Sequence, residues 1–372
     1  LSFVNFTKHC NIIHYTFEQM HNQNLLHIAI FFLLSAMLIS CDNELDINGD
    51  YIEKVVVFGL LDYADDTNFI RIEKTFLEPN TNAMVLAADP SQIFYQANEL
   101  AVYLEQWKDN VFIATLTVDY VDGDSLGLEK EEGTFATSPN ILYRITQQLD
   151  SMSTYKLFII KSASGDTIKA ETNMVHDYYL YYPTISNTYI SFADTGKITY
   201  TCHQAVNAKM YELWMDFNYY EKNIFTNDSV LKSLPWQIFN GKIGDNIDGN
   251  SNISYSLPRH SFYNFLSTAI QPDENVIRTA VGVNFHWYAG GIELYYQYLN
   301  ILANLGINED YISPEYTNII GGIGMFSSRH AKHAIDIKLY DNTLDSIACG
   351  SITNNLQFVS SKTNPTYPGC GF

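Results

Sequence analysis

Hydrophobic and polar positions alternate most clearly in the middle of the chain. Tyr211, Leu213, Met215, Phe217 and Tyr219 recur at every second position, with Glu212, Asp216 and Asn218 between them. Successive strand side chains point to opposite faces, so a period of two predicts a strand with one buried face. Trp214 breaks the polar set and predicts that this strand is covered on both sides.

The same period marks Phe69–Phe76, where Ile70, Ile72 and Phe76 oppose Arg71, Glu73 and Thr75. Val55-Val56-Val57-Phe58 is a branched apolar run that predicts a buried strand over 54–61. Ala101–Trp107 and Val111–Val118 are expected as a hairpin across Lys108-Asp109-Asn110, and Tyr155–Ile160 with Thr167–Thr172 as another across Ser164-Gly165-Asp166. Strands are further expected at 198–202, 281–287 and 292–298, the last two turning at Ala289-Gly290-Gly291. The Gly-rich stretch 319–326 and the alternating stretch 334–339 follow. Asp89-Pro90 predicts a short helix start. Ser261–Ile270 carries Phe262, Phe265, Leu266, Ala269 and Ile270 at helical spacing, ahead of Pro272. Residues 221–257 are polar and rich in turn residues, and are expected as a long insertion.

Many short strands and few helices predict a mainly β protein made of two tandem β-sandwich, immunoglobulin-like domains. The first is expected over 51–175. The second, over 176–372, carries the helix near 261–270. The boundary falls at the aromatic run Tyr178-Tyr179-Leu180-Tyr181-Tyr182. Tyr residues stack on sugars and peptides, so Tyr178, Tyr179, Tyr181 and Tyr182 are candidate ligand-binding residues, against the reading that they fill a junction.

Composition narrows the function classes. Forty-one acidic residues against 21 Lys and Arg give a net charge of −20 across 372 residues. Nucleic-acid binding rests on cations that neutralise phosphates, so this balance argues against it. It equally argues against adsorption to an anionic membrane face. Cysteine is sparse, and Cys349 and Cys370 are placed to close a C-terminal loop by a disulfide in an oxidising compartment.

One short stretch carries an address. An apolar run from Ile28 to Ile39 is too short to span a bilayer comfortably and suits a signal-peptide core. It ends in Leu38-Ile39-Ser40-Cys41, which resembles the bacterial lipobox. That resemblance implies cleavage before Cys41 and lipidation of Cys41. Residues 1–40 would then be a signal peptide, translated from Leu1 or from Met20, and 41–50 a polar tether. Val55–Leu61, Tyr155–Ile160 with Ala170-Glu171-Thr172, and Tyr316–Arg329 together resemble uncharacterised lipoproteins of the Bacteroidota, a domain-of-unknown-function family often encoded beside TonB-dependent transporters. The resemblance implies an outer-membrane location. The acidic run after Cys41 is similar to the signal that exports such lipoproteins to the cell surface.

Catalytic signatures are weak. There is no Gly-x-Ser-x-Gly, and Ser327-Ser328-Arg329-His330 is not by itself a triad, which needs three groups converging in space. His330 and His333 would share a helix face but oppose one another on a strand; a solvated turn is expected there. Asp119–Glu132 is acidic but departs from the helix-loop-helix calcium pattern at Leu126 and Gly133, so a solvated loop is expected and no metal site. Gly321-Gly322-Ile323-Gly324 is read as close backbone packing and not as a phosphate cradle. The expectation is a non-enzymatic, lipid-anchored accessory protein with no cofactor, working with an outer-membrane transporter. The alternatives are a surface hydrolase of glycans or peptides and a structural adhesin or envelope spacer.

Overall fold

A computed structural model describes residues 52–76, 81–193, 195–304 and 316–361. The chain divides into a unit ending at Ile52 and a unit from Glu53 onward; the description below concerns the second.

The first strand pairs with the last. β1 (Val55–Leu61) lies parallel to β16 (Gly322–Leu339), with Val55 opposite Gly322 and Leu61 opposite Ser328. The strands between them in sequence are β2 (Asn68–Lys74), β3 (Leu100–Lys108), β4 (Val111–Thr117), β5 (Asp119–Asp122), β6 (Ile141–Ile145), β7 (Thr154–Lys161) and β8 (Thr167–Asn173). Then come β9 (Leu180–Tyr182), β10 (Tyr189–Ile190), β11 (Lys197–His203), β12 (Ala208–Asn223), β13 (Ser229–Ile243), β14 (Asn252–Pro258) and β15 (Val276–Gly291). One sheet runs β13-β12-β15-β16-β1-β2-β6-β5, with β10 added beside β16. Two smaller sheets, β4-β3-β7-β8 and β14-β11-β9, complete a mainly β, sandwich-like fold.

Two hydrophobic cores form, and the chain passes from one to the other between Met174 and Val175. The switch falls one residue before the expected 175/176 boundary. The expectation of tandem domains is nonetheless corrected: Glu53 onward is a single compact unit, because the long sheet spans both cores. β16 serves both, with Phe326 in the first core and Ala334 and Ile337 in the second. The late residues Ile319 and Phe326 complete the early core, so residues 51–175 are not a self-contained sandwich.

Local chemistry explains most elements. Asp109 and Asn110, at φ 50 and 62, make the two-residue turn between β3 and β4. Asp89 accepts from the Ser91 backbone N–H and caps Pro90–Ile93. The helix Ser261–Ala269 buries Phe262 and Leu266 as its spacing predicts. On β12, Tyr211, Leu213, Met215 and Phe217 are fully buried while Glu212, Trp214, Asp216 and Asn218 lie half-exposed on the other face.

Four expectations fail, for distinct reasons. Residues 221–257 are not an insertion but contain β13 and β14. β13 is an edge strand, mostly exposed, so it needs no apolar face; Pro235 and its lysines suit an edge. Ala289-Gly290-Gly291 is no turn, since β15 runs straight through it, paired with β12 on one side and with β16 on the other as far as Gly290. Ile292–Asn304 is a helix and not a strand; Ile292, Tyr295, Tyr296 and Leu299 have helical spacing, hidden by a composition that favours strands. His330 and His333 lie in the middle of β16, not on a solvated turn.

The glycines of β16 make its parallel partnership with β1 sterically feasible. Gly324 sits at φ +110, and a Cβ there would strike the Val57 carbonyl oxygen. Gly324→Ala should therefore cost at least about 2 kcal/mol from strained backbone and lost pairing. Urea unfolding of the variant and the parent would measure the loss.

Candidate ligand pocket and the buried pin beneath it

Three strands, β12, β15 and β16, place their side chains in aligned rows. Directly opposed residues of neighbouring strands share a face. Met210, Gly290 and Arg329 form one row; Glu212, Tyr288 and Ala331 the next; Trp214, His286 and His333 the third. A pocket of about 370 Å³ is lined by the first row, by Glu212 and Tyr288 of the second and by Trp214 of the third, with Leu60 of β1 and Leu294 of the helix Ile292–Asn304 beside them. Gly290 lets that helix come close, for a Cβ there would lie 2.6 Å from the Leu294 Cδ2.

The indole N–H of Trp214 donates to Glu212 Oε2 at 3.1 Å, which fixes the ring against the carboxylate. The guanidinium of Arg329 stands 5.9 Å from the centre of the Tyr288 ring. Burial pushes the Tyr288 phenol up, Arg329 pulls it down, and Asp216 and Glu212 push it up again. The third row extends the polar face: His286 Nε2 lies 3.1 Å from Asp216 Oδ2, and its Nδ1 lies 2.8 Å from Nδ1 of His333. Burial first, and then the neighbouring His286, hold the His333 imidazole below its ordinary value.

Consecutive strand residues face opposite ways, so His330 points inward where Arg329 points out. His330 is buried and meets Asp62, the residue after β1, at 3.1 Å through Nδ1. Its Nε2 lies 2.9 Å from the Tyr63 hydroxyl and 3.3 Å from Asp177. Asp62 also accepts the backbone N–H groups of Ala64 and Ala331. Burial pushes the Tyr63 phenol up to about 12, helped by Asp177 and Asp62. Burial works to raise the Asp177 carboxyl too, but Lys332, 2.6 Å away, and the Tyr178 backbone N–H hold it low. This closed network pins the end of β1 to β16.

The serines beside it are otherwise engaged. Ser328 donates to the Asn173 carbonyl and accepts from the Val175 backbone. Ser327 donates to Glu293, whose carboxyl burial pushes up despite that bond and one from Thr172. Neither serine meets His330, so no Ser-His relay forms.

The four candidate tyrosines do not make one platform. Tyr178 is buried, with its hydroxyl donating to the Trp287 and His330 carbonyls. Tyr179 and Tyr181 face solvent, and Tyr182 packs against the second core. Cys41 and Cys370 lie outside the described residues, and Cys349 takes part in a disulfide. In the acidic loop, Asp122 spends its carboxylate on the backbone of Asp124 and Asn140. Among the described residues no group of three His, Cys, Asp or Glu is arranged to hold a metal. The pocket was signalled in sequence only by Trp214 among polar neighbours; Arg329 carried no local signal.

No family model matches the chain, and no curated protein matches it. Among solved structures it is similar to one titled "Crystal structure of calcium binding domain CBD12 of CALX1.1", at 9% identity over 77% of this chain and 100% of that chain, with a TM-score of 0.16. A superposition that poor lends no weight to calcium binding here.

Two outcomes follow from this geometry. His330→Ala strands a buried carboxylate and should lower stability by about 2–3 kcal/mol in chemical denaturation. His333, held below 6.5 when folded, binds protons more readily once unfolded. Its contribution is therefore complete above that value and is lost as pH falls through it. The melting temperature of His333→Asn should fall less between pH 7 and pH 5 than that of the parent.

Proposed function

We propose that this is a lipid-anchored accessory protein of the outer membrane that binds its ligand without transforming it, acting beside an outer-membrane transporter. The observation that carries the binding reading is the pocket on β12, β15 and β16. It offers two aromatic rings, a guanidinium and a carboxylate on strands whose register fixes them, and such convergence in a concave site is how small-ligand sites are built. Glu212 is the single carboxylate among its lining residues, which disfavours the hydrolase reading because glycoside cleavage uses two acting together. The address rests on Leu38-Ile39-Ser40-Cys41. Among the described residues no helix is long and apolar enough to cross a membrane. Attachment through several acyl chains on Cys41 would hold the acidic body stably.

Cys41→Ala should move the protein from the membrane to the soluble fraction on cell fractionation, and unchanged attachment would sink the anchoring proposal. Cross-linking on intact cells should recover a transporter with the parent protein; repeated recovery of none would remove the transporter link.

A further inference from the structure

Arg329 lines the pocket as its one cation. Acidic residues outnumber Lys and Arg by 41 to 21, yet among the described residues no carboxylate lies within ion-pair distance of its guanidinium. Its Nε is buried with no acceptor. Buried donors are nearly always satisfied, by protein, by water or by a ligand, and this one belongs to a side chain that lines the pocket. Another pocket, near Tyr95, differs in that one of its two lysines is satisfied from within. There Lys161 is already paired with Glu53 at 2.9 Å, and Tyr95 donates to the same carboxylate.

We infer that the pocket takes a small ring-bearing monocarboxylate, with its carboxylate on the Arg329 fork and its ring against Trp214 and Tyr288. This rests on the reading of the pocket as a ligand site. A guanidinium matches a carboxylate with two parallel N–H donors, a geometry lysine cannot offer. The charge balance selects a monoanion. Arg329 is the one cation in the lining and Glu212 faces the same space. Asp65 is also near enough to feel Arg329, although burial and Asp62 push its carboxyl up. A dianionic phosphate would meet these carboxylates with a single cation to balance it. The free oxygen of Glu212 accepts hydroxyl groups, because Oε2 is engaged by the Trp214 indole. The volume, about 370 Å³, lies at the small end of ligand pockets and suits one six-membered ring with its substituents. Ring carboxylates come from two sources, acidic sugars and aromatic acids, and the two share this recognition chemistry.

Calorimetric titration of the full chain in detergent micelles tests it with matched pairs: glucuronate against glucose, benzoate against benzyl alcohol, and inorganic phosphate alone. One carboxylate should bind at least tenfold more tightly than its neutral partner and than phosphate, and the favoured pair identifies the source. Arg329→Gln and Arg329→Lys should both erase most of that ratio. Trp214→Leu should weaken both members of the pair alike. Unchanged melting curves keep a folding defect from passing as a binding defect. The inference is overturned if the members of each pair bind equally, if phosphate binds as tightly, or if Arg329→Gln leaves the ratio intact. Should a neutral ring still bind and Trp214→Leu weaken it, the pocket stands as a ligand site while its carboxylate specificity falls. Should no probe bind, both fall.

Discussion

Everything in this fold depends on a parallel pairing between the two ends of its described body. β1 and β16 are far apart in sequence, yet seven consecutive residues of β1 lie in register with Gly322–Ser328. Parallel neighbours cannot be joined by a tight turn, so the whole intervening chain serves as the connection. The pairing is held at one end by glycine backbone contacts too close for a side chain, and at the other by Asp62 and His330. A buried hydrogen-bonded network of this kind adds little net stability but tolerates few alternative alignments, since any slip leaves its polar groups without partners.

The same strand carries the consequence to the surface. Arg329 and His330 are neighbours, one facing the pocket and the other the network. On the neighbouring strand Leu60 lines the pocket, and Asp62, just past the end of β1, joins the network. The pocket walls are therefore fixed by the contacts that fix the fold, and a site on rigid strands is held more accurately than one on loops. This arrangement is suited to recognition by a preset shape, with little ordering left to be done when a ligand arrives.

Much of the fold was legible in the sequence because burial imposes a period. The inward set of β12 and the helix at 261–269 were read directly from spacing, and so were the β3–β4 and β7–β8 hairpins. Where burial imposes nothing, the sequence is silent: β13 lies on the sheet edge and carries no apolar face to announce it. The helix from Ile292 was obscured by competing signals, with strand-forming residues set at helical spacing. The pocket was half legible. Trp214 among polar positions marks an outer face that is not plain solvent, and spacing alone reads that as a second covering layer. Arg329 and Tyr288 could not be joined to it, because what unites them is the register of three strands, and register is settled only by the assembled sheet. The aromatic run at 178–182 divides in the fold: Tyr178 is buried, while Tyr179 and Tyr181, two apart on an extended backbone, both face solvent.

The pairing of first strand with last also sets an order of events. A chain made from its N-terminus at roughly 5–20 residues per second produces β1 well before β16. The early core lacks Ile319 and Phe326 until then, so for much of synthesis the first strands of the body wait for the residues that complete their packing. Strands left unpaired recruit one another, so the early segment is exposed to mispairing for that interval, and closure waits for the arrival of the chain's own far end.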